Sequence, residues 1–182
     1  MPSSTDRTWP RGTGGDGGVT SDTRGGEFAG IEGFNAAPPA QAEEALGRCC
    51  GSRRWAARLT AHRPYPDLDA LLAAADEASY DLTAEDLGEA LAEESAQHPL
   101  SDQPGLLAAH TALRAAHAAY ESRFGHAFVI CLDGWSRDER LDQVLAGIRG
   151  RLGNDPERER EATAEELRRL ARGRLTRLVG PD

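Results

Sequence analysis

Glu94 and His98 stand four residues apart at the end of an Ala- and Leu-rich stretch, and where a helix continues through them their side chains share one face. A carboxylate and an imidazole so placed can move a proton. The imidazole does this near neutral pH without adjustment, whereas Glu94 needs burial or a neighbouring carboxylate such as Glu93 or Asp102 to raise its pKa. The plainer reading puts Glu93 and Glu94 on a wet helix face and His98, beside Pro99, in a solvated loop. Of the other histidines, His110 and His117 are two helical turns apart, about 10 Å, too far to chelate one ion without further ligands, and His126 falls in a loop after Gly125. The three cysteines do not form a site. Cys49 and Cys50 are adjacent, which suits neither an ordinary structural disulfide nor a zinc knuckle, and Cys131 belongs to an apolar run; all three read as reduced thiols. No metal and no organic cofactor are expected. No ligand spacing is present, and no glycine-rich loop sits between a strand and a helix.

Two stretches must position any chemistry. From Gln97 to Pro104 the chain is polar and broken by two prolines inside an otherwise helical pattern, a candidate functional loop. Further on, Gly125 follows a run of good helix formers where a left-handed residue closes a helix. Phe128 to Cys131 should therefore cross the interior as extended or irregular backbone. Its N–H and C=O groups need partners, which a small polar ligand could supply.

The remaining pattern is helical. Phe34-Asn35-Ala36-Ala37-Pro38-Pro39 opens a helix through Ala42, Leu46 and Cys49; a short helix carries Trp55 and Leu59; and Arg63-Pro64-Tyr65-Pro66 forces an extended connection. Asp67 caps a helix through Leu68, Leu71, Leu72 and Ala75, and Thr83 with Asp86 caps the next, through Leu87 and Leu91. A long helix runs from Leu106 to about Phe124, another from Ser136 to Leu152. A last one, capped by Asp155 with Pro156 at its first position, runs to about Val179 with Gly173 a weak point. The expectation is an all-α single domain of seven or eight helices from Phe34 to Val179. Met1 to Gly30, holding many of the 20 glycines, reads as a disordered tail without a signal or transit sequence, hence a cytoplasmic protein. No apolar run approaches a membrane span. The net charge of -9 and pI near 5.1 argue against a nucleic-acid surface and leave a small molecule as the expected partner.

Several short motifs occur in order: Phe34-Asn35-Ala36; Tyr120-Glu121-x-Arg123-Phe124-Gly125-x-x-Phe128-x-Ile130-Cys131; Arg151-Leu152-Gly153-Asn154-Asp155-Pro156-Glu157; and Leu170-Ala171-Arg172-x-Arg174-Leu175. Together they resemble the OHCU decarboxylases (2-oxo-4-hydroxy-4-carboxy-5-ureidoimidazoline decarboxylases), all-α, cofactor-free, usually dimeric enzymes of the last step from urate to S-allantoin. The resemblance implies that fold, a homodimer, and decarboxylation of OHCU; a divergent paralogue using the same pocket for another reaction, or a non-catalytic binding protein, stays open beside it. The family's helix ending Ala-Leu-Ala-x leads into a catalytic His-Pro-Arg-Ile-Gly and, after a gap, Ser-x-x-Glu-Gln-x-Gly. Here Glu94 takes the histidine position, His98-Pro99 follows four residues later, and Asp102-Gln103-Pro104-Gly105 comes almost at once. The resemblance thus implies that the catalytic histidine has become Glu94 or, where the helix runs one turn further, is replaced by His98, with Asp102 completing the catalytic set. It implies Pro99, Gln103, Arg174 and the backbone at Ile130 and Leu132 as substrate contacts, with Arg174 forking onto a carboxylate or ureido oxygen. Without it, Arg174 could simply pair with Glu165, Glu166 or Asp155.

Overall fold

The computed structural model describes residues 27–97 and 107–180. Among them are eight helices: α1 (Gly30–Ala36), α2 (Pro39–Cys49), α3 (Arg53–Ala61), α4 (Leu68–Tyr80), α5 (Ala84–Gln97), α6 (Leu107–Phe124), α7 (Arg140–Arg151) and α8 (Pro156–Val179). No strand occurs among the described residues.

Local signals set most of the boundaries. Ser52 Oγ accepts from Trp55 N at 3.2 Å and Asp67 Oδ1 from Ala70 N at 2.7 Å, so α3 and α4 each start on a side-chain cap. Thr83 and Asp86 form a reciprocal box: Asp86 N donates to Thr83 Oγ1 at 3.2 Å and Thr83 N to Asp86 Oδ2 at 2.9 Å. Asp155 Oδ1 accepts from Glu157 N and Arg158 N, with Pro156 at the first position of α8. The start of α7 differs from the expected Ser136. There the backbone and hydroxyl of Ser136 both donate to the Glu139 carboxylate, at 3.1 and 2.6 Å, and close a separate turn before the helix begins at Arg140.

The main core lies between α2, α3, α4 and α8. Phe34, Leu46, Trp55, Leu59, Leu71 and Leu175 are fully enclosed there, each contributing roughly 1.5–3 kcal/mol by leaving water. Trp55 also satisfies its ring N–H on the Ala75 carbonyl at 3.1 Å. The fold begins earlier than the expected Phe34: Phe28 is buried, meets Phe34 edge-on at 5.4 Å, and donates its N–H to the Leu178 carbonyl at 3.3 Å. A second, smaller cluster joins Tyr120, Phe128 and Ile148 between α6 and α7. Helix α8 serves both clusters. Its inner face steps by four residues, Glu159, Thr163, Leu167, Ala171, Leu175, and all five are buried.

Candidate active site

Gly125, at φ +78°, ends α6 by donating its N–H to the Glu121 carbonyl at 2.8 Å, and the chain then crosses the interior without regular structure. Phe128 and Val129 are buried in that crossing. The expectation that a ligand would satisfy its backbone is corrected at two groups: the Val129 carbonyl accepts from Arg151 Nη1 at 2.8 Å, and Cys131 N donates to Glu166 Oε2 at 2.7 Å. Arg151 is the centre of a buried knot. Its guanidinium stacks 4.8 Å above the Phe128 ring, donates to Glu159 Oε1 at 2.8 Å, and donates to Thr163 Oγ1 at 2.7 Å. Glu159, 1% exposed, also accepts from the Tyr120 hydroxyl and from Asn154 Nδ2. Burial alone would raise the Glu159 carboxyl, but the bonds from Arg151, Tyr120 and Asn154 outweigh it and hold the group below its ordinary value. Burial pushes the Tyr120 phenol up to about 12, with its bond to Glu159 adding to the shift. His117, edge-on to Phe128 at 6.0 Å, is moved down by burial, which suits a core-facing residue.

Glu94 faces inward from α5 rather than into solvent. It is only 3% exposed, and Arg174 of α8 forks onto both of its oxygens, the Nη2–Oε2 bond measuring 2.9 Å. Arg174 Nη1 also donates to the carbonyl of Cys49, the last residue of α2, at 3.2 Å. That carbonyl belongs to the last turn of α2, where free oxygens carry partial negative charge. The bond to Glu94 raises the Arg174 pKa further, against desolvation. The close approach of α5 to the α2–α3 link depends on Gly51, where a Cβ would lie 2.5 Å from the Glu93 Cβ. Burial pushes the Cys49 thiol up to about 12 and raises Cys50 as well, so neither is a thiolate nucleophile near neutral pH.

Of the expected site residues, Glu94 and Arg174 are brought together. Ile130 is half-buried against the Tyr120–Phe128–Ile148 cluster. Leu132 lies near the end of the crossing, whose next residue, Asp133, reaches Arg177 at 3.4 Å, one turn beyond Arg174 on α8. Asp133 also covers Gly173, where a Cβ would stand 2.1 Å from its carboxylate, so that glycine is a point of close packing. His98, Pro99, Asp102 and Gln103 lie outside the described residues. The alternative partners of Arg174 are engaged elsewhere: Glu165 with Arg168 and Arg169, Glu166 with Cys131 N, and Asp155 as the α8 cap. The Cys49 carbonyl, Glu159 and Thr163 were not expected from sequence, nor was the bond of Glu166 to Cys131 N. Only Glu159 and Thr163 carried a signal, their four-residue register with Leu167 and Leu175.

Two adjoining clefts of about 460 and 360 Å³ share Ala84, Leu87 and Arg160 along α5 and α8; Glu94 and Arg174 line neither. Among the described residues no group of three or more His, Cys, Asp or Glu could hold a metal ion, and no helix is long and apolar enough to cross a membrane.

The family model for OHCU decarboxylase matches residues 35–176, from just after Phe34 to two residues beyond Arg174. The chain belongs to the OHCU decarboxylase family. It is 35% identical over 63 residues to the 2-oxo-4-hydroxy-4-carboxy-5-ureidoimidazoline decarboxylase of Amia calva, a match that takes in 35% of this chain and only 34% of that relative's length. The crystal structure of an OHCU decarboxylase in the presence of (S)-allantoin superposes with a TM-score of 0.62 over 75% of this chain and 97% of that one, at 22% identity. A crystal structure of (S)-allantoin synthase gives the same TM-score over 82% of this chain and 54% of that chain, at 21% identity. These likenesses establish the OHCU decarboxylase fold.

Proposed function

We propose that the protein is a carboxy-lyase that converts OHCU to (S)-allantoin without metal or organic cofactor. One observation carries this reading. The position that the resemblance reserves for the catalytic histidine, Glu94, and the one it reserves for the terminal arginine, Arg174, are 80 residues apart in sequence and in direct contact in a buried place. Loss of CO2 leaves electron density on carbon that an adjacent C=N or C=O absorbs, after which one face must be protonated. Both Glu94 oxygens are engaged by the Arg174 fork. In this reading His98 takes the acid/base role, Asp102 belongs to the catalytic set, and Pro99, Gln103 and the backbone at Ile130 and Leu132 hold the ring and ureido groups. Such a group contributes about a hundred- to ten-thousandfold in rate. The partner is the small-molecule substrate, and the state of assembly is a homodimer, which light scattering would check.

Freshly generated OHCU, mixed with the protein and followed by the circular dichroism of (S)-allantoin, tests the reading. Formation of the S isomer no faster than in protein-free solution would refute it. A second reading draws on the same contact: with Glu94 filling the fork of Arg174, the pocket could bind a small ligand without turning it over, and (S)-allantoin binding in the absence of turnover would favour that reading.

A further inference from the structure

We propose that the smaller of the two clefts, about 360 Å³ between α5, the end of α6 and the start of α8, binds a small organic anion with an aromatic or otherwise apolar body and one carboxylate or similar acid group. Glu94 and Arg174 do not line this cleft, and the proposal does not rest on the lyase reading. Its floor is apolar. Leu87 and Leu91 of α5 are each 7% exposed there, and the rings of Phe124 and His126, 6.3 Å apart and 32° from parallel, form an aromatic wall. The charged groups are Arg123 and Arg160, and no described Asp or Glu lines the cleft. That runs against the composition, 30 acidic residues to 21 Lys and Arg, and against the larger cleft alongside, which has Glu161 and Glu165 in its wall. The two guanidinium groups are only loosely held by the chain. Arg123 lies 5.3 Å over the Phe124 ring and donates to the neutral Asn154 carbonyl at 3.0 Å. Arg160 meets Glu157, three residues earlier on the same helix, at 3.4 Å, with both side chains more than half exposed, and an exposed pair of that length is weak. An acid group on a ligand is therefore a stronger partner for these cations than those the chain supplies. The net charge of -9 does not oppose this, because charges beyond about 8 Å are screened at physiological salt.

Calorimetric titration of the full chain with 2-naphthoate, and with 2-naphthamide as its uncharged match, tests the proposal. The acid should bind at least tenfold more tightly than the amide, and added salt should weaken the acid while leaving the amide unchanged. Arg160→Gln, at an exposed position, should cut the affinity for 2-naphthoate at least fivefold. Gly88 locates the site, since it lines the cleft and a Cβ there would meet no atom within 4 Å. Gly88→Leu thus adds a side chain at the cleft without a clash at its Cβ, and leucine is the better helix former. That variant should melt no lower than the parent and lose at least tenfold in affinity for 2-naphthoate. Where Gly88→Leu does not fold, the parent comparison and Arg160→Gln decide the matter together. Equal or preferential binding of the amide, an affinity for 2-naphthoate that is insensitive to salt or unchanged in either folded variant, or binding of neither probe each overturns the proposal.

Discussion

Replacing Arg151 by methionine would remove the guanidinium that joins the Val129 carbonyl, Glu159 and Thr163 and leave a side chain of similar length against Phe128. The Glu159 carboxylate, 1% exposed, would keep its bonds from Tyr120 and Asn154 but lose its only ion-pair partner among the described residues. Breaking one side of a buried pair costs about 3–5 kcal/mol, because a charge stays buried without compensation. At roughly 2–4 °C per kcal/mol for a chain of this size, the thermal midpoint should fall by about 6–20 °C. The double change Arg151→Met with Glu159→Leu removes both charges and should recover much of that loss. The pH dependence has a definite sign. Glu159 is held below its ordinary value, so the stability it contributes is present above an unfolded-state pKa of roughly 4.3 and disappears as pH falls through the depressed value. Urea titrations of parent and variants between neutral pH and acid would measure both effects. A loss under about 1 kcal/mol for Arg151→Met, or a parent no less stable in acid than the double variant, would show that the knot does not carry the stability assigned to it.

Three further outcomes follow from named contacts. Phe28→Ala should cost about 3 kcal/mol as a core truncation, and deletion through Gly30 should lower the midpoint where deletion ending at residue 26 does not, since only the longer cut removes Phe28; calorimetric melting would check both. His98→Asn should lower kcat for OHCU at least a hundredfold with little change in binding, whereas Glu94→Gln should spare the protonation step; steady-state kinetics with the dichroism assay would separate them. Gly51→Ala places a Cβ 2.5 Å from the Glu93 Cβ and 3.1 Å from the Ala90 Cα, and should destabilise by about 1–3 kcal/mol as α5 is pushed off the end of α2, read in the same urea titrations.

The helices were legible in the sequence where their signals are local. Asp67, the Thr83–Asp86 pair, Asp155 with Pro156, and Gly125 each act within one turn, so spacing alone locates them. Phe28 was not legible, because one aromatic residue after a glycine-rich stretch has no periodicity to mark it. Ser136 misplaced the start of α7 because a Ser-x-x-Glu pattern also closes an isolated turn. The Glu94–Arg174 contact was out of reach for another reason: both residues were visible as candidates, but which of several carboxylates an arginine chooses is decided by the packing of α5 and α8, 80 positions apart. Glu159 shares the four-residue register of Leu167 and Leu175 on α8, but register alone does not name Arg151, Tyr120 and Asn154 as its partners.

The Arg151 knot bears on how kinship in this family is recognised. Tyr120, Phe128, Arg151 and Asn154, among the residues by which the chain resembles its relatives, tie the crossing segment to α8. Likeness in these motifs therefore tracks inheritance of a frame whose upkeep is demanded by folding whatever the pocket does. A lineage can exchange its catalytic loop, or lose its reaction, and still be recognised as kin.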